Sequence, residues 1–275
     1  MRRAKVRMSD DIDFAKVVSW FKNDHAARVM VALSGGVDSA VVALAAKQAL
    51  GNNVLAVTAN YSTLSRDELT SADNVAKEIG INHITIKYDE LENENFVRND
   101  KLRCYHCRME LGTYLVSEAM KRNITLIVDG TNLDDLGDYR PGISAMRANG
   151  IRSPLVELGM NKNKVRKMAK SRALSTYDKP SNSCLASRIP TGITVTMERI
   201  KRVEMSEIIV KSIFAVKQVR VRDHLDLARI EVGLNEIHLL FDPVKLRLLN
   251  SKLKSLGFSY VTIDLGGYHS NEALM

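Results

Sequence analysis

Two groups of residues in this 275-residue chain are spaced as chemistry requires. The first is Ser34-Gly35-Gly36-Val37-Asp38-Ser39, which follows a short apolar run and precedes a helix-forming one. Glycines let the backbone turn tightly and expose its amides. The helix start adds unpaired N–H groups and the positive end of its dipole, and together these hold an anion. Ser34 and Ser39 can donate hydroxyl hydrogen bonds to phosphate oxygens, with the backbone around Ala32 and Val37 completing the expected contacts. Asp38 cannot favour phosphate directly, so its expected part is to bridge through Mg²⁺. The Gly-Lys-Ser/Thr of the Walker loop is missing, which excludes an ordinary P-loop kinase or GTPase. A bare Gly-Gly turn can be structural, but two serines and an aspartate around it argue for a phosphate-binding loop.

The second group is the cysteines, three in all: Cys104, Cys107 and Cys184. An odd, small number without a secretion signal does not make a disulfide framework. Cys104-Tyr105-His106-Cys107 puts two thiols on one face of a helix start, with Arg103 and Arg108 adding positive charge beside them. Four uses remain open. The pair can be core packing, or a thiol–disulfide redox motif. With Cys184 and a histidine such as His106 it can bind zinc. With Cys184 alone it can hold an iron–sulfur cluster that leaves one iron without a protein ligand.

The background composition narrows the partners. A net charge of +8 favours phosphate-bearing ligands, whether nucleotide, RNA or an anionic small molecule, although a solvated Lys/Arg surface gives the same number. Aromatic residues are only 5%, too few for an extended base-stacking surface. The longest apolar stretch, around 40–46, is far short of the ~18 residues a membrane span needs. The basic N-terminus runs into Ser9-Asp10-Asp11 where a signal peptide would be apolar. The expected location is the cytoplasm.

Elements must position these groups. The pattern predicts a helix over 12–23, a buried strand over 28–33, and after the glycine loop a helix over 40–50 closed by Gly51. A strand over 54–59, a helix from the Ser65 capping-box spacing to Ile79, and a strand over 82–87 follow. A helix over 105–122, a strand over 124–129, a polar loop over 130–150, a further strand over 153–158 and a basic helix over 161–174 continue the series. Alternating strands and helices imply a doubly wound, mainly parallel α/β sheet. The segment 175–191 reads as a linker. Beyond it, a helix over 196–214, strands over 218–222 and 227–233, a helix opened by Asp242-Pro243 and a strand over 260–265 suggest a smaller α+β domain. The expected division is 1–178 and 179–275.

The hexapeptide at Ser34 resembles the PP-loop of the ATP pyrophosphatase superfamily, which includes GMP, NAD and asparagine synthetases and tRNA thiolation enzymes. That resemblance implies ATP cleaved between the α and β phosphates, with AMP placed on a substrate oxygen that otherwise leaves poorly. The wider set of motifs resembles the LarE family of ATP-dependent sulfur transferases over nearly the whole chain. The set comprises Asn99-Asp100-Lys101-Leu102-Arg103-Cys104, Asp129-Gly130-Thr131-Asn132-Leu133-Asp134-Asp135, Asp138-Tyr139-Arg140-Pro141-Gly142, Cys184-Leu185-Ala186-Ser187-Arg188-Ile189-Pro190, and Val219-Arg220-Val221-Arg222 with Ala228-Arg229-Ile230-Glu231.

The LarE family acts in making the nickel-pincer nucleotide of lactate racemase. Its implied substrate is pyridinium-3,5-biscarboxylic acid mononucleotide. One design in the family sacrifices the sulfur of the cysteine matching Cys184. The other holds a 4Fe-4S cluster on three cysteines, and Cys104, Cys107 and Cys184 match it. Catalytic roles then fall on Cys184 and Asp38. Gly130 and Thr131 would contact nucleotide, and Arg188, Arg220, Arg222 and Arg229 would bind the substrate's phosphate or carboxylates. Asp134, Asp138 and Arg140 would shape the nucleotide loop or touch substrate. Glu198 and Glu204 read as surface or core-edge residues. A sulfide or other sulfur donor and a homo-oligomer are implied, and an iron–sulfur tRNA thiolase is the alternative that would take tRNA as partner.

Overall fold

A computed structural model describes residues 2–137, 141–180 and 183–268. The expectations for Asp138 and Arg140 lie outside these residues. The chain divides into two compact units: residues up to 88 with 104–182, and residues 89–103 with those from 183 onward. The segment 89–103 packs with the residues from 183 onward.

The first unit runs α1 (Arg2–Asn23), β1 (Val29–Ala32), α2 (Val37–Leu50), β2 (Val54–Asn60), α3 (Arg66–Ile79) and β3 (Asn82–Lys87). After the 89–103 segment, which holds the single turn α4 (Glu94–Val97), come α5 (Arg103–Lys121), β4 (Leu126–Val128), α6 (Pro141–Ala148), α7 (Pro154–Glu157) and α8 (Lys162–Ser171). The sheet order is β3-β2-β1-β4 and every pairing is parallel. Parallel strands are covered on both faces, so their side chains are apolar in both directions. Val29, Val31, Val54, Ala56, Leu126 and Val128 pack with α1, α2 and α8. Their sequence neighbours Met30, Leu55, Val57 and Ile127 pack on the other face with Leu111, Leu115 and Ala119 of α5. Because β2 and β3 lie on one side of β1 and β4 on the other, the strand order reverses between β1 and β4. The crevice beyond the carboxyl ends of those two strands is where such sheets bind ligands.

Two sequence expectations are corrected here. Residues 153–158 do not form a strand. Pro154 takes the first position of α7, where its missing N–H costs nothing, and only Arg152 bridges to Val128 of the sheet. The polar stretch 130–150 is not all loop. It contains α6, which buries Ala145 and Met146.

The second unit holds α9 (Met197–Phe214), β5 (Val219–His224), β6 (Leu227–Val232), α10 (Pro243–Ser255) and β7 (Tyr260–Ile263). Its sheet order is β5-β6-β7, with β5 antiparallel to β6 and β7 parallel to it. Val210 and Phe214 of α9 and Leu249 and Leu253 of α10 bury one face against Val219, Val221, Ala228 and Ile230.

Candidate functional site

The glycine loop lies at the β1–β4 crevice because the residues around it leave no other course. Gly35 has φ +75°, a left-handed conformation that costs an L side chain strain, and a Cβ there would sit 2.7 Å from the Ala72 amide nitrogen of α3. The hydroxyl of Ser71 and the ammonium of Lys179 donate to the Gly35 carbonyl at 2.9 and 3.0 Å, and Lys179 is also paired with Glu68 at 3.0 Å. Gly36 caps α2 with extended backbone. Ser34 Oγ and Ser39 Oγ are 3.1 Å apart, and Ser39 Oγ accepts from the Ser34 amide at 3.2 Å. The loop is therefore held from outside by α3 and Lys179, with two hydroxyls meeting at its mouth.

The opposite side of the crevice is the turn after β4. Gly130 approaches the start of α2 so closely that a Cβ would lie 2.5 Å from the Ser39 amide nitrogen. Asp129 anchors that turn: its carboxylate accepts from the Thr131 amide at 3.0 Å, the Thr131 hydroxyl at 2.9 Å and the Ser153 hydroxyl at 2.7 Å. Burial still pushes its carboxyl above the ordinary range, against those hydrogen bonds and the charge of Arg108. Asn132 and Asp135 cap each other in the following 3₁₀ turn, and Asp134 Oδ2 accepts from the Lys162 amide at 3.0 Å.

Asp38 sits between these turns. Asn132 donates to it at 3.3 Å and the Lys162 ammonium pairs with its other oxygen. Desolvation raises its carboxyl above the usual value. Lys162 pulls the other way, and nearby Asp135 adds to the rise. A cation brought to Asp38 would relieve that penalty.

Between the two turns lies a cavity of about 300 Å³. Ala32, Ser34, Asp38, Ser39, Gly130 and Thr131 line it, whereas Gly35, Gly36 and Val37 shape the turn behind. Leu111, Leu115 and Met146 form an apolar wall, and Tyr61 and Arg108 also border it. Tyr61 begins a ladder of rings, its centroid 5.5 Å from Tyr88, which stacks on Tyr114 at 4.7 Å. Arg108 follows Cys107 in α5. A Cβ on Gly142, another lining residue, would lie 2.8 Å from Arg108 and 3.2 Å from the Cys104 carbonyl. The first turn of α5, which carries both thiols, therefore adjoins the cavity. Cys104 is exposed and Cys107 buried, and neither is in a disulfide.

The other expected residues belong to the second unit. Cys184, partly exposed, occupies the N-cap of a short 3₁₀ turn, Leu185–Arg188. Arg188 is fully buried. Its Nε and Nη2 donate to the two oxygens of Glu207 at 2.8 and 3.1 Å, and its Nη1 to the carbonyls of Ser183 and Cys184 at 2.6 and 2.9 Å. Arg222 donates to Glu231 and to the Ser187 carbonyl, and Arg229 donates to Glu231 at 2.8 Å. Arg220 is buried under the Tyr268 ring at 5.0 Å and donates to the Val219 carbonyl. Burial, and then the charge of Arg188, holds Arg220 below the usual arginine value. Glu198 is exposed in the first turn of α9 and Glu204 is half-buried. Among the described residues, no three His, Cys, Asp or Glu side chains are grouped to hold a metal ion.

Sequence reasoning missed Lys162 and Lys179. Lys162 lies 124 residues from its partner Asp38, and no local pattern marks it.

A doubly wound parallel sheet with a serine- and glycine-rich loop at its switch point defines an ATP-using PP-loop domain. The asparagine synthase family model matches residues 24–136, which span β1 to β4 and the turn after it. The chain is 36% identical over 246 residues to the pyridinium-3,5-bisthiocarboxylic acid mononucleotide synthase of Lactiplantibacillus plantarum, covering 88% of this chain and 87% of that protein. It is 41% identical over 245 residues to an uncharacterised protein of Synechocystis, covering 89% and 91%. A shorter match, 37% over 82 residues, is to the ammonia-dependent NAD⁺ synthetase of Fusobacterium nucleatum and covers 30% and 31%. The chain belongs to the family of the Lactiplantibacillus synthase, the LarE family, and is an ATP-dependent sulfur transferase. No helix among the described residues is long and apolar enough to cross a membrane.

Proposed function

We propose that the chain adenylates a carboxylate of a pyridinium mononucleotide with ATP and replaces the activated oxygen by sulfur, on the route to a nickel-pincer nucleotide. The observation that carries this reading is the cavity lining, which runs from Ser34, Asp38 and Ser39 to Arg108 beside the Cys104–Cys107 turn. The phosphate loop and Arg108, which follows the Cys104–Cys107 pair in α5, thus border one cavity.

In this reading the two hydroxyls that now meet each other turn to the β and γ phosphates, joined by the amides at the start of α2. Asp38 would hold Mg²⁺, and the Lys162 ammonium beside it would offset the charge of departing pyrophosphate. The apolar wall of Leu111, Leu115 and Met146 takes the adenine and keeps water from the acyl-adenylate. Arg108 faces the α phosphate. The guanidiniums of Arg188, Arg220, Arg222 and Arg229 outnumber the buried carboxylates beside them, Glu207 and Glu231, and that local surplus suits an anionic substrate.

The donor set, three thiols of which two stand one helical turn apart, suits a cubane cluster with one iron left open. Cys104, Cys107 and Cys184 would hold it, and when bound it would supply a sulfide to the activated carbonyl. Cytoplasmic residence, a homo-oligomer and a small-molecule rather than tRNA substrate belong to the same proposal.

The test is anaerobic turnover with ATP, Mg²⁺, sulfide and the biscarboxylic mononucleotide, followed by mass spectrometry. Thiocarboxylate, AMP and pyrophosphate are expected in equal amounts. Replacing any one of the three cysteines by serine should abolish both bound iron and sulfur transfer. Retention of both in any single variant would overturn the cluster. Loss of sulfur from Cys184 itself, with Cys104→Ser fully active, would establish the sacrificial design. Salt-dependent capture and thiolation of tRNA would establish the thiolase.

A further inference from the structure

The segment 89–103 has a task that the sequence does not reveal. Asn99 is fully buried and takes φ +57°, the left-handed conformation that asparagine tolerates better than most residues. Its side-chain nitrogen Nδ2 donates to the carbonyls of Pro190 at 2.8 Å and Ile193 at 2.7 Å, and its backbone carbonyl accepts from the Gly192 amide at 2.9 Å. Its side-chain oxygen accepts from Arg103 Nη1 at 2.6 Å, and the same guanidinium donates to the Ala186 carbonyl at 2.9 Å. Ala186 is two residues past Cys184, and Arg103 directly precedes Cys104.

Around Cys184, then, several backbone carbonyls accept from side chains. Arg188 holds the carbonyls of Ser183 and Cys184, Arg103 that of Ala186, and Arg222 that of Ser187. Asn99 holds Pro190 and Ile193. Charged donors fix a loop more firmly than water or neutral donors, since each such bond is roughly twice as strong. A loop so held presents its cysteine in one backbone conformation, which is what a group delivering to a fixed acceptor requires.

We infer that Asn99 and Arg103 are positioning residues for Cys184, bracing its loop so that sulfur delivery, and not ATP binding, depends on them. The inference rests on the proposed use of Cys184 in sulfur transfer. The experiment compares full-length wild type with Arg103→Ala and Arg103→Lys, measuring backbone amide exchange, iodoacetamide labelling of Cys184, bound iron and sulfur-transfer kinetics. In Arg103→Ala the amides of Ile189 and Gly192 should exchange at least about tenfold faster, as expected for the loss of charge-assisted bonds. Labelling of Cys184 should accelerate alongside, kcat for sulfur transfer should fall, and the KM for ATP should stay within about twofold of wild type. Lysine at 103 should restore part of the exchange protection. Unchanged exchange and labelling in Arg103→Ala would overturn the brace. Faster exchange with undiminished sulfur transfer would overturn the positioning role while Cys184→Ser still abolished activity. If Cys184→Ser itself transferred sulfur normally, the reading of Cys184 would fall and this inference with it.

Discussion

The ATP loop and the Cys184 loop are both short turns rich in small polar residues, yet they are held by opposite means. The loop at Ser34 is built from glycines, its two hydroxyls bond each other and the loop's own backbone, and its bracing comes from behind, through Ser71 and Lys179 on the Gly35 carbonyl. The loop at Cys184 is built from carbonyls that guanidiniums and an amide occupy. One turn keeps its outside bracing away from its mouth. The other uses up acceptors to hold one side chain still. Binding a negative ligand calls for the first arrangement, and presenting a nucleophile calls for the second.

Four experiments would break or sharpen that contrast. The largest effect should come from Arg188→Ala, which leaves Glu207 buried without its bidentate partner and should cost about 3–5 kcal/mol. Urea unfolding of the full chain measures it, and a loss below about 1 kcal/mol would mean the Cys184 loop is not held as described. Next is Asp38→Asn. Turnover should fall about 10²–10³-fold through lost charge stabilisation of the leaving pyrophosphate, with little change in the Cys184 loop's amide exchange. Gly35→Ala follows, with about 1–3 kcal/mol of left-handed strain plus a clash against α3. Its effect should appear as weaker ATP binding in calorimetry, and equal strain without weaker binding would separate the turn from nucleotide.

The smallest effect is a pH dependence. Burial raises the Asp38 carboxyl above its ordinary 3.8 despite Lys162. A carboxyl raised by folding contributes its full stability below the unfolded value and loses it as pH rises through the folded value. Asp38→Asn should therefore melt a little higher than wild type at neutral pH without ligand, and the gap should close as the pH nears 3.8. A lower melting temperature at neutral pH would show that the Lys162 pair outweighs desolvation.

The contrast also explains what could be read from the chain alone. The ATP loop is local: six consecutive residues between a buried strand and a helix carry it, and the flanking strands announce themselves by continuous apolar runs. The doubly wound sheet was legible for the same reason. The strand expected at 153–158 was not, because Pro154 starts a helical turn where an apolar stretch of the same length could equally extend. The Cys184 loop is non-local. The sequence marks Arg188, Arg220, Arg222 and Arg229 as candidate anion binders, but it does not show that Glu207 pairs with Arg188, or Glu231 with Arg222 and Arg229. Lys162 was invisible because charge pairing across the fold leaves no periodic trace.

The segment 89–103 carries one more consequence, for biosynthesis. Phe96 and Asn99, both wholly enclosed, emerge from the ribosome long before the Pro190–Ile193 stretch that Asn99 caps. Until that stretch arrives they have no shelter, although the strands on either side of the insert can already pair. A cut placed at the apparent border near residue 178 would leave this insert permanently bare, so the amino-terminal portion expressed by itself should be prone to clump, whereas the intact polypeptide should not.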